Sequence, residues 1–192
     1  MDKPKRLGAM ILCGGASERM GAAKASLDWL GRRAVDRVAA TAAEVGAADI
    51  LTVGPESYGF PSIADDEHLG GPVGGVIAGA RVLAVGGAER LLVLAVDAPT
   101  LAAADLRPLL DAPSGAAFEG LHFPFVAPVA ALPADARADW PVGRLIERAG
   151  LERIACPPGA LARLRGANTP AEREALLDEL VERQNAQTDG DA

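Results

Sequence analysis

The chain has 192 residues, 49% of them hydrophobic, and a formal net charge of −7, which fits one domain with a single well-buried core. The acidic balance excludes a surface that grips nucleic-acid backbones, since such surfaces need clustered Lys and Arg, and 4% aromatic residues leave no stacking platform for single strands. No apolar run approaches the roughly 18 to 20 residues that cross a bilayer as a helix, so no membrane contact is expected.

The start, MDKPKR, leads into an apolar stretch with no secretory signal, which predicts a cytoplasmic location. Leu7 to Cys13 is almost unbroken in apolar character, the pattern of a strand buried on both faces in a parallel sheet. Gly14 and Gly15 follow, then a polar loop with Ser17, Glu18 and Arg19, then Met20-Gly21 and Lys24. Paired glycines at the carboxyl end of a central strand allow a tight turn and present bare N–H groups, which suits an anion such as a nucleotide phosphate. Arg19 and Lys24 add two cations to that loop.

Ala34 to Val45 reads as a helix ended by Gly46, and Ile50 to Val53 as a second strand. Ser62 to Ala64 is a short strand running into Asp65-Asp66, and Ile77 to Val85 is helical. Arg90 to Val96 is another continuous apolar strand that stops at Asp97-Ala98-Pro99. This alternation predicts an α/β fold: three layers, Rossmann-like, a mostly parallel sheet with helices on both faces. Ligands of such sheets sit at the carboxyl ends of the strands, where Gly14-Gly15, Asp65-Asp66 and Asp97 all fall.

Further on, Ala103 to Leu110 reads as a helix, Phe118 to Phe125 and Val126 to Leu132 as a pair of strands, Trp140 to Ala149 as a helix and Leu151 to Ala155 as a strand. Pro170, preceded by Asn168-Thr169, opens a capped helix over Ala171 to Arg183 with Glu172 and Glu174 near its positive end. The expected organisation is one domain over 1–184 and a disordered tail over 185–192. Cys13 and Cys156 fit no metal or redox spacing and read as small buried thiols; the two histidines fit no zinc pattern.

Spacing excludes two familiar phosphate loops, because Gly15 and Gly21 are not followed as the Walker pattern requires and no Gly-x-Gly-x-x-Gly is present. What remains, a strand and then GG-x-S-x-RMG-x-x-K, resembles the loop of nucleotidyltransferases that build activated nucleotides from a nucleoside triphosphate and a phosphorylated acceptor. It is most similar to the molybdenum cofactor guanylyltransferases (MobA), with the pattern L-A-G-G-x-S-x-R-M-G-x-D-K. The chain departs at Cys13, where Ala is usual, and at Ala23, where Asp is usual.

The resemblance implies a nucleotide-diphospho-sugar transferase type of fold and GMP transfer from GTP to the terminal phosphate of a molybdopterin-type acceptor. Leu12, Cys13, Gly14, Gly15, Lys24, Asp65 or Asp66, Gly71 and Asp97 are the expected nucleotide contacts, with Arg19, Lys24 and Asp97 catalytic. Asp97 is a candidate Mg2+ ligand on its own residues, since magnesium takes one or two carboxylates plus phosphate oxygens; LAVDAPTL is also similar to the family's metal-binding strand end. Gly71-Pro72-Val73-Gly74-Gly75 resembles the G-P-L-A-G segment. Asn168-Thr169-Pro170 resembles the end of N-x-N-T-P on the acceptor side, with Gly166 in place of the first Asn, so Asn168 reads as an acceptor contact or a helix cap. Arg165 reads as an acceptor-phosphate contact or a solvated cation. His122 and Pro124 fall near the family's H-P segment, with Phe123 between them. Transient contact with cofactor-biosynthesis or acceptor proteins is a further implication. The alternatives are cytidylyl or other nucleotidyl transfer to a pterin, sugar phosphate or small phosphorylated acid, and a nucleotide-binding paralogue without activity.

Overall fold

A central strand, β1 (Leu7–Leu12), is the axis of the molecule because its side chains enter two cores. Ala9 and Ile11 pack into one layer and Met10 into the opposite one, all fully buried. The computed structural model describes residues 5–14, 24–64 and 70–190, without the side chains of 187–190. Gly15, Arg19, Ala23, Asp65 and Asp66 lie outside the described residues.

The remaining strands are β2 (Asp49–Gly54), β3 (Ser62–Ala64), β4 (Arg90–Ala95), β5 (Ala116–Phe118), β6 (Phe125–Pro128) and β7 (Glu152–Ile154). They form a seven-stranded sheet in the order β3-β2-β1-β4-β6-β5-β7. All pairings are parallel except those of β6, which runs antiparallel to both β4 and β5. The helices are α1 (Ala34–Glu44), α2 (Pro72–Val85), α3 (Ala103–Asp111), α4 (Val142–Arg148), α5 (Leu161–Arg165) and α6 (Pro170–Gly190). One core holds Val35, Val38, Leu106, Leu109, Leu164 and Leu176, so α1, α3, α5 and α6 cover that face. The other holds Val76, Leu83, Leu145 and Ile146 from α2 and α4. The three-layer arrangement is the expected one.

Local departures have identifiable causes. α2 begins at Pro72 and not at Ile77, because proline at the first helical position is already set in φ and lacks only an N–H that has no partner there. The expected strands over 118–125 and 126–132 shrink to β5 and β6: Gly120 has φ +71° and 119–124 connect the two, while Pro128 ends β6 before a 3-10 turn at Val129–Ala131. α4 starts after Pro141, later than expected. α5, between Gly159 and Gly166, is too short to show a helical period in the sequence. The last helix, expected to stop at Arg183 before a disordered tail, continues to Gly190. Among its described side chains Leu180 is the last buried one.

The register places the site. Leu12 pairs with Ala95, so Cys13-Gly14 and Val96-Asp97 leave the same edge of the sheet side by side.

Candidate active site

Asp97 opens a turn between β4 and α3 whose backbone is held residue by residue. Ala167 N–H donates to the Asp97 carbonyl at 3.1 Å. Arg37 Nε donates to Pro99 O at 3.2 Å, Arg183 Nη2 to Thr100 O at 2.7 Å, and Thr41 Oγ1 to Leu101 O at 3.1 Å. A carboxylate on so fixed a turn keeps its position when charge arrives. Its side chain is 27% exposed, and burial raises its pKa above the ordinary Asp value, with Lys24 offsetting only part. The ionised acid is thus short of positive charge.

Among the described residues Lys24 is the cation that faces it. It begins a 3-10 turn, Lys24–Ser26, and Nζ lies 3.7 Å from Asp97 Oδ2 while donating to Asn168 Oδ1 at 3.0 Å. Asn168 is free to accept because it is not the cap of α6. Glu172 N–H donates to Thr169 Oγ1 at 3.2 Å, and Glu172 Oε2 accepts from Thr169 N at 3.0 Å and Asn168 N at 2.8 Å. This reciprocal capping box assigns the cap to Thr169. Those bonds hold the Glu172 carboxyl below the usual range, with Asn168 N–H the largest cause.

Gly166 explains its own departure from N-x-N-T-P. Its φ is +68°, and a Cβ built on it would lie 1.9 Å from the Asp97 carbonyl oxygen. A side chain and the present approach of 166–167 to Asp97 are mutually exclusive.

The structure brings Lys24, Asp97 and Asn168 together. Cys13 N–H is spent on Val53 O at 2.7 Å, and Leu12 O accepts from Val96 N at 3.1 Å, so both serve the sheet and Gly14 is the first residue beyond that pairing. The buried Cys13 thiol, pushed up to about 12, stays protonated. Cys156 is only partly buried. Gly71, at φ +136°, precedes α2 beside Ala138, and α2 packs on the sheet face opposite to α6. Arg165 is exposed in the last turn of α5. His122 lies against Gly143 at the start of α4. Among the described residues no three His, Cys, Asp or Glu cluster as metal ligands. A cavity of about 1110 Å³, lined by Lys5, Arg6, Glu44, Glu89, Arg90 and Asp111, lies at the amino-terminal ends of β1 and β4, away from this edge.

Residues 9–167 match the family of MobA-like NTP transferase domains. The chain belongs to this family. It is 42% identical to a molybdenum cofactor guanylyltransferase of Acidiphilium cryptum over 65% of this chain and 68% of that protein. It is 40% identical to one of Xanthomonas euvesicatoria over 55% of this chain and 53% of that protein. A nucleotidyl transferase from Methanothermobacter thermautotroptrophicus has the same fold, at TM-score 0.71 and 14% identity, over 93% of this chain and 99% of that one. The MobA-like chain is therefore a nucleotidyltransferase. The match stops one residue before Asn168, so the pairing with Lys24 comes from the structure.

Several residues that hold the MobA-like site have no signal in the sequence. Asp105, Arg163, Arg183 and Glu179 stand on three helices, with spacings such as 58 and 83 residues to their partners, which no periodicity reports. Arg173 reaches the far side of the Lys24 turn by lying over the Trp29 ring, 5.3 Å from its centre, and donating to the Asp28 carbonyl. None of the described helices is long and apolar enough to cross a membrane.

Proposed function

We propose that the protein moves GMP from GTP to the terminal phosphate of a molybdopterin-type acceptor and releases pyrophosphate. The observation that carries the reading is the convergence of Lys24, Asp97 and Asn168 at the edge where β1 and β4 end. The names of the Acidiphilium and Xanthomonas relatives supply the guanylyl and cofactor parts. Lys24 serves as the cation for the triphosphate, Gly14 and Gly15 as backbone donors, Arg19 as a second cation, and Asn168 marks the acceptor side with Arg165 beside it. Asp65 or Asp66 and Gly71 complete the nucleotide contacts expected from the sequence, and a cytoplasmic setting goes with the same reading.

Asp97 fits a divalent metal, Mg2+ in this proposal. It is a fixed, under-compensated carboxylate, and magnesium asks for one or two such groups. The bound ion supplies charge neutralisation on phosphate oxygens. No general base is required, because a phosphomonoester's second pKa of about 6 leaves the acceptor phosphate largely ionised near neutrality. The chain's contribution is then alignment and fixed charge: Lys24 held by two partners, Asp97 by a pinned turn, Asn168 by a capped helix. Incubation with GTP, Mg2+ and a pterin phosphate acceptor tests this. Stoichiometric pyrophosphate and a GMP-pterin product are expected; tight GTP binding with no pyrophosphate overturns it, and faster turnover with CTP moves the assignment to cytidylyl transfer.

A further inference from the structure

We propose that Arg163 is a positioning residue: anchored on the buried Asp105, it fixes the 166–168 segment against Asp97 and so sets where Asn168 meets Lys24. The role rests on the proposed reaction for what it serves, but the anchoring is a property of this chain alone. Arg163 Nε and Nη2 donate to the two Asp105 oxygens at 2.9 and 2.7 Å, a bidentate pair with side chains 15% and 6% exposed. Its Nη1 donates to Gly159 O at 3.0 Å and to the Glu179 carboxylate. Asp105 Oδ2 also accepts Ala102 N–H at 3.0 Å, so one carboxylate joins the start of α3 to α5 and, through Arg163 and Glu179, to α6.

α5 has five residues and is far below the length at which a helix holds itself. It needs outside anchors, and Leu164 with Arg163 provides them. Immediately after it come Gly166, in contact with the Asp97 carbonyl, Ala167, bonded to that carbonyl, and Asn168, bonded to Lys24. A shift of α5 is therefore delivered to the site within three residues. The turn after Asp97 has three other ties, from Arg37, Thr41 and Arg183, and Lys24 keeps Asp97 as a partner, so the nucleotide side is disturbed less than the acceptor side. Only a guanidinium supplies the planar fork; lysine keeps the charge without it.

The test uses the full chain with Arg163→Lys and Arg163→Ala. Each is measured for thermal midpoint, for GTP·Mg2+ affinity by calorimetry, for kcat and acceptor KM, and for hydrogen exchange at the Ala167 amide. The expected result, well below each midpoint, is near-unchanged GTP affinity, acceptor kcat/KM lower by roughly 10²-fold, faster Ala167 exchange, and no rescue by lysine. Folded variants with a lower midpoint but normal kinetics and normal Ala167 protection overturn the proposal and leave Arg163 a structural tie. If Arg163→Ala does not fold, Arg163→Lys decides alone, since it keeps the buried charge. If the natural chain transfers no GMP, the reaction assignment fails while Ala167 exchange still decides the anchoring.

Discussion

Lys24 and Asn168 share a hydrogen bond of 3.0 Å across 144 positions of chain. With Asp97 3.7 Å from the same ammonium, the bond joins the loop after β1, the end of β4 and the entry to α6 at one point. Separating the three contributions is the first use of mutagenesis here.

Lys24→Ala is expected to lower turnover by about 10² to 10³, the usual cost of one preorganised charge donor, with little loss of stability because the pair is partly exposed and screened. Asn168→Ala is expected to cost less and to appear chiefly in the acceptor KM. Pyrophosphate release with GTP and acceptor varied separately distinguishes them; equal effects on both substrates for Asn168→Ala contradict the acceptor-side placement.

Asp97→Asn is expected to be more stable than the natural chain in metal-free buffer and inactive. Burial, the larger cause, raises the folded-state pKa above the unfolded value, so the ionised carboxylate is a cost at neutral pH. That cost begins to fade as pH falls through the raised folded pKa and is gone below the unfolded one. Thermal midpoints of the two proteins therefore converge on acidification. Adding GTP with Mg2+ should raise the midpoint of the natural chain and not that of Asp97→Asn; an equal rise in both rules out the carboxylate as the ligand.

Gly166→Asn, which restores the family's residue, is expected to harm. Its Cβ would overlap the Asp97 carbonyl and its φ is left-handed, so the cost should exceed about 3 kcal/mol in denaturant unfolding. Gly166→Ala should behave alike. A stable, more active Gly166→Asn would show that the 166–168 segment sits elsewhere.

Glu172→Gln tests the cap. The folded-state pKa of Glu172 is depressed by the Asn168 and Thr169 N–H groups, so its stabilisation is present above the unfolded pKa and is lost as pH falls through the folded one. The gap between Glu172→Gln and the natural chain should be largest near neutrality and vanish in acid. Thr169→Ala, which removes the other half of the box, is expected to cost about 1 kcal/mol with weaker pH dependence.

The sheet and its two helix layers were legible because buried parallel strands write themselves as unbroken apolar runs, as at Leu7–Leu12 and Arg90–Ala95. Register set the ends of β1 and β4 side by side, and Lys24 lies 3.7 Å from Asp97 beyond them. α5 was not legible, being shorter than two turns. Nor was the Asp105–Arg163 pair, since Arg and Asp 58 residues apart look like two solvated charges until the chain is folded. Asn168 was ambiguous for a local reason: Asn and Thr both cap helices, and only the hydrogen bonds give the role to Thr169.

The order of these parts along the chain has a consequence for biosynthesis. A ribosome delivers Lys24 and Asp97 first and Arg163, Gly166 and Asn168 late, so a nascent polypeptide that has just completed β7 carries both opposite charges without the segment that frames them. The Lys24–Asn168 bond can form only after the entry to α6 has emerged. A product cut short at Cys156 should hold all seven strands yet leave bare the apolar face that Leu164 and Leu176 cover, and so should be prone to aggregation.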